Sequence, residues 1–137
     1  MAGTAVLLIA HGSSVPEANE DLVRVAEALR GRGLCDSVEV SYLDRASPTI
    51  QEGIDACVRG GSERVLLVPY FLSLGGHVRR DLPRQAREGE RRHPGITIEL
   101  SEPLGFDTRL VDLVADRVAE GLRAHGWPVP ERDRPIA

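Results

Sequence analysis

The sequence predicts an α/β domain, a three-layer sandwich built on a four-stranded parallel sheet with element order βαβαβαβα. Three observations point there. Strand-like and helix-like segments alternate along the whole chain, the pattern of a parallel sheet with right-handed crossovers. The first and third strand-like runs are apolar on both faces, as strands buried between helical layers are. The helical segments carry apolar residues at three- and four-residue spacing and end at glycine or proline.

Taken in order, "TAVLLIA" is a strand with two buried faces. From Pro16 to about Arg32, Ala18, Leu22, Val25, Ala26 and Leu29 recur at helical spacing, and Gly33 stands where the helix should stop. "SVEVSYL" is the second strand. "SPTIQEGIDACVRGG" is the second helix, with Ser47 as its expected N-cap, Pro48 at the first helical position and Gly60-Gly61 as its stop. Ile50, Ile54, Cys57 and Val58 form its inner stripe. "RVLLVPYF" is the third strand, followed by a helix expected from about Asp81 to His93. "ITIEL" is the fourth strand. Asp107 caps a last helix whose apolar side is Leu110, Leu113, Val114, Val118 and Leu122. The expected organisation is one domain over 1–126 and a loosely ordered tail over 127–137.

The 137 residues suffice for one core. With a net charge of −4 the chain lacks the basic balance that general nucleic-acid binding needs. All 17 basic residues are arginine, a bias more in keeping with genome composition than with function. Cys35 and Cys57 are not spaced as a disulfide framework or a zinc ribbon. The apolar run at 5–10 is too short to span a membrane and no signal peptide precedes it, so a cytoplasmic protein is expected.

Parallel sheets bind ligands beyond the carboxyl ends of their strands. The loops to read are therefore "HGSSVPEANE", "DRASPT" and "FLSLGGHVRRDLP". Two of the four histidines, His11 and His77, lie in them. In a 2-1-3-4 strand order the first and third strands are neighbours, so the two imidazoles can converge. Neutral imidazole binds borderline divalent metals and accepts protons near neutral pH. Gly12 is expected to keep the approach to His11 open. His93 and His125 fall near helix C-termini, where the helix dipole and a polar surface explain them.

Asp44 ends the second strand and reads either as a third metal ligand or as a solvated turn residue beside Arg45. "SLGGH" lets backbone N–H groups approach an anionic ligand. "HVRRDLPRQAREGERRH" holds six arginines against Asp81, Glu88 and Glu90. Most of them suit a solvated helix face; Arg79 and Arg80 stand best for an anion.

Several enzyme classes are excluded or weakened. Histidine phosphatases carry arginine before the first-strand histidine, where this chain has Ala10. No G-x-S-x-G, G-x-x-x-x-G-K-[ST] or G-x-G-x-x-G occurs, so a serine nucleophile elbow and a nucleotide anchor are both missing. A metal or proton-transfer site made of two histidines is what survives.

"VLLIAHGSS", "SYLDRASPTI", "VPYFLSLGGHVRRDLP" and "HPGITIELSEPLG" together resemble the small sirohydrochlorin chelatases, the CbiX/SirB type of class II chelatase, over roughly residues 5–122. The resemblance implies a chelatase-like fold and a lyase. Its reaction would be ATP-independent insertion of a divalent metal into sirohydrochlorin, with no organic cofactor. Co²⁺ would lead toward cobalamin, Fe²⁺ toward sirohaem, and Ni²⁺ is a further substrate of such enzymes. It implies a homodimer, half the two-domain chelatase architecture per chain; the charge balance and the short apolar run leave neither nucleic-acid nor membrane partners expected.

By the same resemblance, His11 is base and metal ligand and His77 the second metal-binding histidine. Phe71, Leu72, Ser73, Leu74, Gly75 and Gly76 form the loop that cradles the tetrapyrrole, and Ser47 makes another substrate contact. Chemistry adds Arg45, Arg79 and Arg80 for the ring carboxylates, and Tyr70, Phe71, Leu72 and Leu74 as an apolar wall. Leu72 and Leu74 could equally be core or dimer interface. The chain departs from the family at Ser14, where arginine is common, and at Asp44, where glutamate is. A non-catalytic metal- or tetrapyrrole-binding protein is the alternative those departures leave open. A phosphate-ester hydrolase using His11 is a third reading, opposed by Ala10.

Overall fold

The structure, a computed structural model, describes residues 3–130. The chain divides into two compact units at the Gly105–Phe106 junction. The first holds β1 (Gly3–Ala10), α1 (Pro16–Arg30), β2 (Ser37–Tyr42), α2 (Ile50–Arg59), β3 (Ser62–Pro69), α3 (Gly76–Arg92) and β4 (Thr97–Leu100). The second holds α4 (Thr108–Ala124).

All strand pairs are parallel and the sheet order is β2-β1-β3-β4, as expected. Alternation along β1 divides its side chains between two cores. Ala5, Leu7 and Ile9 join Ile50, Ile54 and Cys57 of α2, Leu82 and Ala86 of α3, and Ile98 of β4. Leu8 joins Leu22 and Ala26 of α1, with Val38 and Tyr42, on the opposite face. Helices on both faces of one sheet make the first unit a three-layer sandwich.

One close approach is set by a glycine. A Cβ on Gly53 of α2 would lie 2.7 Å from Leu7 Cδ1 and 3.0 Å from Ser41 Cβ. Hydrogen there lets α2 settle directly on β1 and β2. At the edge of the sheet, the Arg30 guanidinium covers the Val38 carbonyl through two bonds of 3.1 and 2.6 Å, which blunts β2 as a pairing template. Both cysteines are free; burial, then the nearby Glu39 charge, pushes the Cys57 thiol up to about 12.

Two helix starts differ from expectation. The cap of α2 is Thr49, not Ser47, and the helix begins at Ile50 rather than Pro48. Thr49 and Glu52 form a reciprocal capping box, which satisfies two backbone donors at once. The Pro48 carbonyl instead accepts Tyr42 N–H at 2.9 Å, so this segment prolongs the sheet. Helix α3 begins at Gly76, five residues before the expected Asp81. Two glycines and the interior Pro83 disguise its start. Pro83 withholds only the donor that Arg79 would have received, and both residues face solvent, where water replaces it.

In the second unit Asp107 caps α4 as expected. Its Oδ1 accepts Arg109 N–H at 2.9 Å, and the Arg109 guanidinium beside it holds the carboxyl well below the usual carboxylate range. Leu113, Val114 and Val118 on the apolar side of α4 are exposed. Residues 127–130 adopt neither helix nor strand, and the rest of the expected tail, 131–137, lies outside the described residues. Among the described residues no helix is long and apolar enough to cross a membrane.

Candidate functional site

The loops at the carboxyl ends of β1, β2 and β3 are joined by backbone bonds that continue the sheet beyond its strands. Leu43 N–H donates to Ala10 O at 2.8 Å and Asp44 N–H to His11 O at 2.9 Å, zipping the β1 and β2 loops together. Gly12 has φ +96°, and a Cβ there would stand 1.8 Å from the Asp44 carbonyl oxygen. The glycine serves this backbone contact; opening the approach to the imidazole is not what requires it.

His11 emerges exposed from the zipped pair, its ring 6.4 Å from that of Phe71 at a 58° tilt. Phe71 follows β3, so the β1 and β3 loops do converge. Its side chain packs on the α2/α3 core, and its carbonyl accepts Leu104 N–H at 2.8 Å. Leu72 is 61% exposed and Tyr70 38%, whereas Leu74 packs on the same core as Phe71. The wall-or-interior question thus resolves differently for the two leucines: Leu72 faces out and Leu74 faces in.

His77 is exposed in the first turn of α3, where Gly75 is the N-cap and no side chain caps the free N–H groups. The unshared donors and the positive helix end favour an anion at this point. Arg79 folds back to the Leu74 carbonyl (3.4 Å), and Arg80 Nη1 would lie 3.7 Å from a Cβ on Gly76. Both guanidinium groups therefore flank the glycine loop. Among the described residues neither His11 nor His77 makes a side-chain hydrogen bond or ion pair, which leaves both ring nitrogens available. The other two histidines are engaged: His93 Nε2 lies 2.7 Å from Asp55 Oδ1, and the His125 ring meets the Trp127 ring at 5.7 Å with a 40° tilt.

Asp44 turns onto its neighbour. Its Oδ1 accepts Arg45 N–H at 2.8 Å and its Oδ2 lies 3.8 Å from Arg45 Nε, with Arg45 in the left-handed region at φ 62°. Among the described residues no three His, Cys, Asp or Glu side chains stand close enough to hold an ion together. His11, His77 and Asp44 therefore share a sheet edge without forming an assembled triad. Ser47 and Ser73 are exposed in the same group of loops.

Leu104 escaped the sequence reading. It is 44% exposed and its N–H donates to the Phe71 carbonyl, which puts a further apolar side chain beside the loop after β3. The signal was its place after the fourth strand, at the same carboxyl end as the loops that were read. A hollow of about 480 Å³ lies elsewhere, between the β2 edge and α2, and none of the histidines lines it.

A four-stranded parallel α/β sandwich of order β2-β1-β3-β4, with two histidines on the loops at its carboxyl edge, is a domain of chelatase-like fold. The chain matches the family described as CbiX over residues 5–121 and belongs to that family. It is 34% identical over 116 residues to a sirohydrochlorin ferrochelatase of Priestia megaterium, covering 85% of this chain and 44% of that one. It is 30% identical over 138 residues to a sirohydrochlorin cobaltochelatase of Methanopyrus kandleri, covering 86% of this chain and 96% of that one. The sirohydrochlorin chelatase SirB of Bacillus subtilis subspecies spizizenii, solved in complex with cobalt, superposes with TM-score 0.80 at 30% identity. That match covers 88% of this chain and 51% of the other. The chain thus spans less than half the length of the Priestia relative and nearly all of the Methanopyrus one.

Proposed function

We propose that this protein is a sirohydrochlorin metal chelatase, a lyase that inserts Co²⁺ or Fe²⁺, with Ni²⁺ as a further candidate, using no organic cofactor. The single observation that carries the reading is the pair of exposed imidazoles without partners at the carboxyl edge, His11 after β1 and His77 opening α3. It is supported by membership of a family whose relatives include cobalto- and ferrochelatases.

Insertion replaces two pyrrole N–H protons by one divalent ion, so two protons leave as the ion enters. His11 and His77 hold the ion until it passes to the ring, and as it leaves them each freed imidazole nitrogen accepts one of the two pyrrole protons. Leu72 and Leu104 offer apolar contact to the flat ring. Arg79, Arg80, Arg45 and the free N–H groups of the first turn of α3 meet its carboxylates, while Phe71, Ser73, Gly75, Gly76 and Ser47 border it. Asp44 joins the metal only by leaving Arg45. The functional unit is taken as residues 1–126, acting in the cytoplasm as a homodimer, with 127–137 as its tail.

The test is to mix apoprotein, sirohydrochlorin and each metal and follow the absorption spectrum. Insertion faster than without protein is expected; equal rates would overturn the reading. The engagement of Asp44 with Arg45 favours one second reading, a protein that binds metal or ring without turnover. That reading predicts saturable binding with no acceleration.

A further inference from the structure

We infer that Asn19 is the positioning residue for His11, fixing the loop that aims this imidazole while touching neither metal nor ring. The inference rests on the metal-insertion reading of His11. Asparagine is a poor helix former because its side chain competes for backbone groups, yet Asn19 stands in the N-terminal part of α1. What it does there is close on Ser13. Its Oδ1 accepts Ser13 N–H at 3.0 Å and its Nδ2 donates to the Ser13 carbonyl at 2.8 Å. Both ends of the amide are thus spent on the backbone of one residue, which also fixes which end is oxygen.

The clamp is itself anchored. The Asn19 carbonyl accepts the Tyr42 hydroxyl at 2.9 Å, and Tyr42 is buried at the end of β2. Before His11, the Ala10 carbonyl accepts Leu43 N–H at 2.8 Å; the Asp44 N–H holds the His11 carbonyl itself, and the Asp44 carbonyl leaves room at position 12 only for glycine. His11 therefore lies between two fastenings, one to β2 and one to α1. Its imidazole makes no hydrogen bond of its own among the described residues. Apart from the Phe71 ring 6.4 Å away, it is the backbone that directs the imidazole, and Asn19 holds the far end of that backbone.

Asn19→Ala and Asn19→Asp test this in the full chain. The aspartate keeps an acceptor for Ser13 N–H but turns an oxygen toward the Ser13 carbonyl. Both variants should lower kcat for Co²⁺ insertion by roughly 10- to 100-fold, the scale of a misdirected catalytic group, with KM for sirohydrochlorin within about twofold. A purely structural role would not give the decisive readout: in a His11→Ala background, adding Asn19→Ala should change nothing further. An undiminished rate in both single variants, or a loss of the same size on top of His11→Ala, would overturn the inference.

Binding of Co²⁺ alone, followed by broadening of the His11 ring resonances in NMR spectra, separates this from failure of the function. If the wild type inserts no metal, weaker broadening of His11 in Asn19→Ala, with His77 unchanged, still supports the positioning role; identical broadening overturns it. Should Asn19→Ala fail to fold, Tyr42→Phe removes only the hydroxyl that reaches Asn19. It should lower kcat by about two- to fivefold at unchanged KM, and wild-type kcat would count against the inference.

Discussion

Helix α3 carries a histidine at each end, and the two are treated in opposite ways. His77 opens the helix, exposed, its ring making no hydrogen bond or ion pair among the described residues. His93 closes it, tucked against α2, with Nε2 2.7 Å from Asp55 Oδ1 and its side chain only 22% exposed. Arg92 reaches the other oxygen of Asp55 at 3.0 Å, and Gln51 ties Arg92 and Gln85 into the same joint. A histidine whose ring is already bonded fastens two helices. One left without partners at the mouth of a sheet is available for chemistry, and availability separates the two more cleanly than residue type does.

The largest effect should therefore come from alanine at the free histidines. His11→Ala and His77→Ala should each slow metal insertion by roughly 100-fold or more, the usual scale for losing a proton-transfer or metal-binding group. Their melting temperatures should stay close to that of the wild type, since neither ring packs in a core. His93→Ala should reverse the pattern, melting earlier while inserting metal within about twofold of the wild-type rate. Parallel rate measurements and thermal melts check this; a His93 variant slower than the His77 variant would break the contrast.

Gly12→Ala comes next and joins the two kinds of effect in one residue. The added methyl would meet the Asp44 carbonyl at 1.8 Å in a left-handed backbone, so the β1 and β2 loops must part. Strain of this type costs about 1–3 kcal/mol. The opened zipper should also slow insertion about tenfold by turning His11 away. Denaturant unfolding and the insertion assay measure the two effects separately; a stable variant of full activity would mean that the contact is dispensable.

The sheet, its order and the nearness of the β1 and β3 loops were legible in the sequence. Two apolar faces on "TAVLLIA" and "RVLLVP" admit few other folds. The helix starts were harder to read. Ser47-Pro48 has the composition of a cap, but Thr49 has Glu52 three residues on, and the reciprocal bond decides. The early start of α3 was masked by its glycines, which a first turn tolerates, and by Pro83 in its interior. Position along the chain placed His11 and His77 in the loops at the carboxyl edge and His93 and His125 at helix C-termini. What position could not give were partners: that Asp44 folds onto Arg45, that Asn19 grips Ser13, and that Leu104 reaches Phe71. Each is a contact within a loop or onto one, where no periodicity exists to announce it.

The smallest expected effect lies at the fastened end and depends on pH. Arg92, and then His93, favour the ionised form of Asp55 and hold its carboxyl below the ordinary aspartate value of 3.8, against the opposing effect of burial. A carboxyl depressed by folding adds stability that is present above its unfolded value and is lost as pH falls through the folded one. Because the pair is partly solvated, Asp55→Asn should cost about 1 kcal/mol near neutral pH. The difference from the wild type should shrink as pH falls below 3.8 and vanish once both chains are uncharged at this position. Denaturant unfolding of the two proteins from pH 7 downward measures it. A difference that stays constant across that range would mean that Asp55 acts through shape and hydrogen bonding alone, and the joint would no longer be the charged counterpart of the open histidine edge.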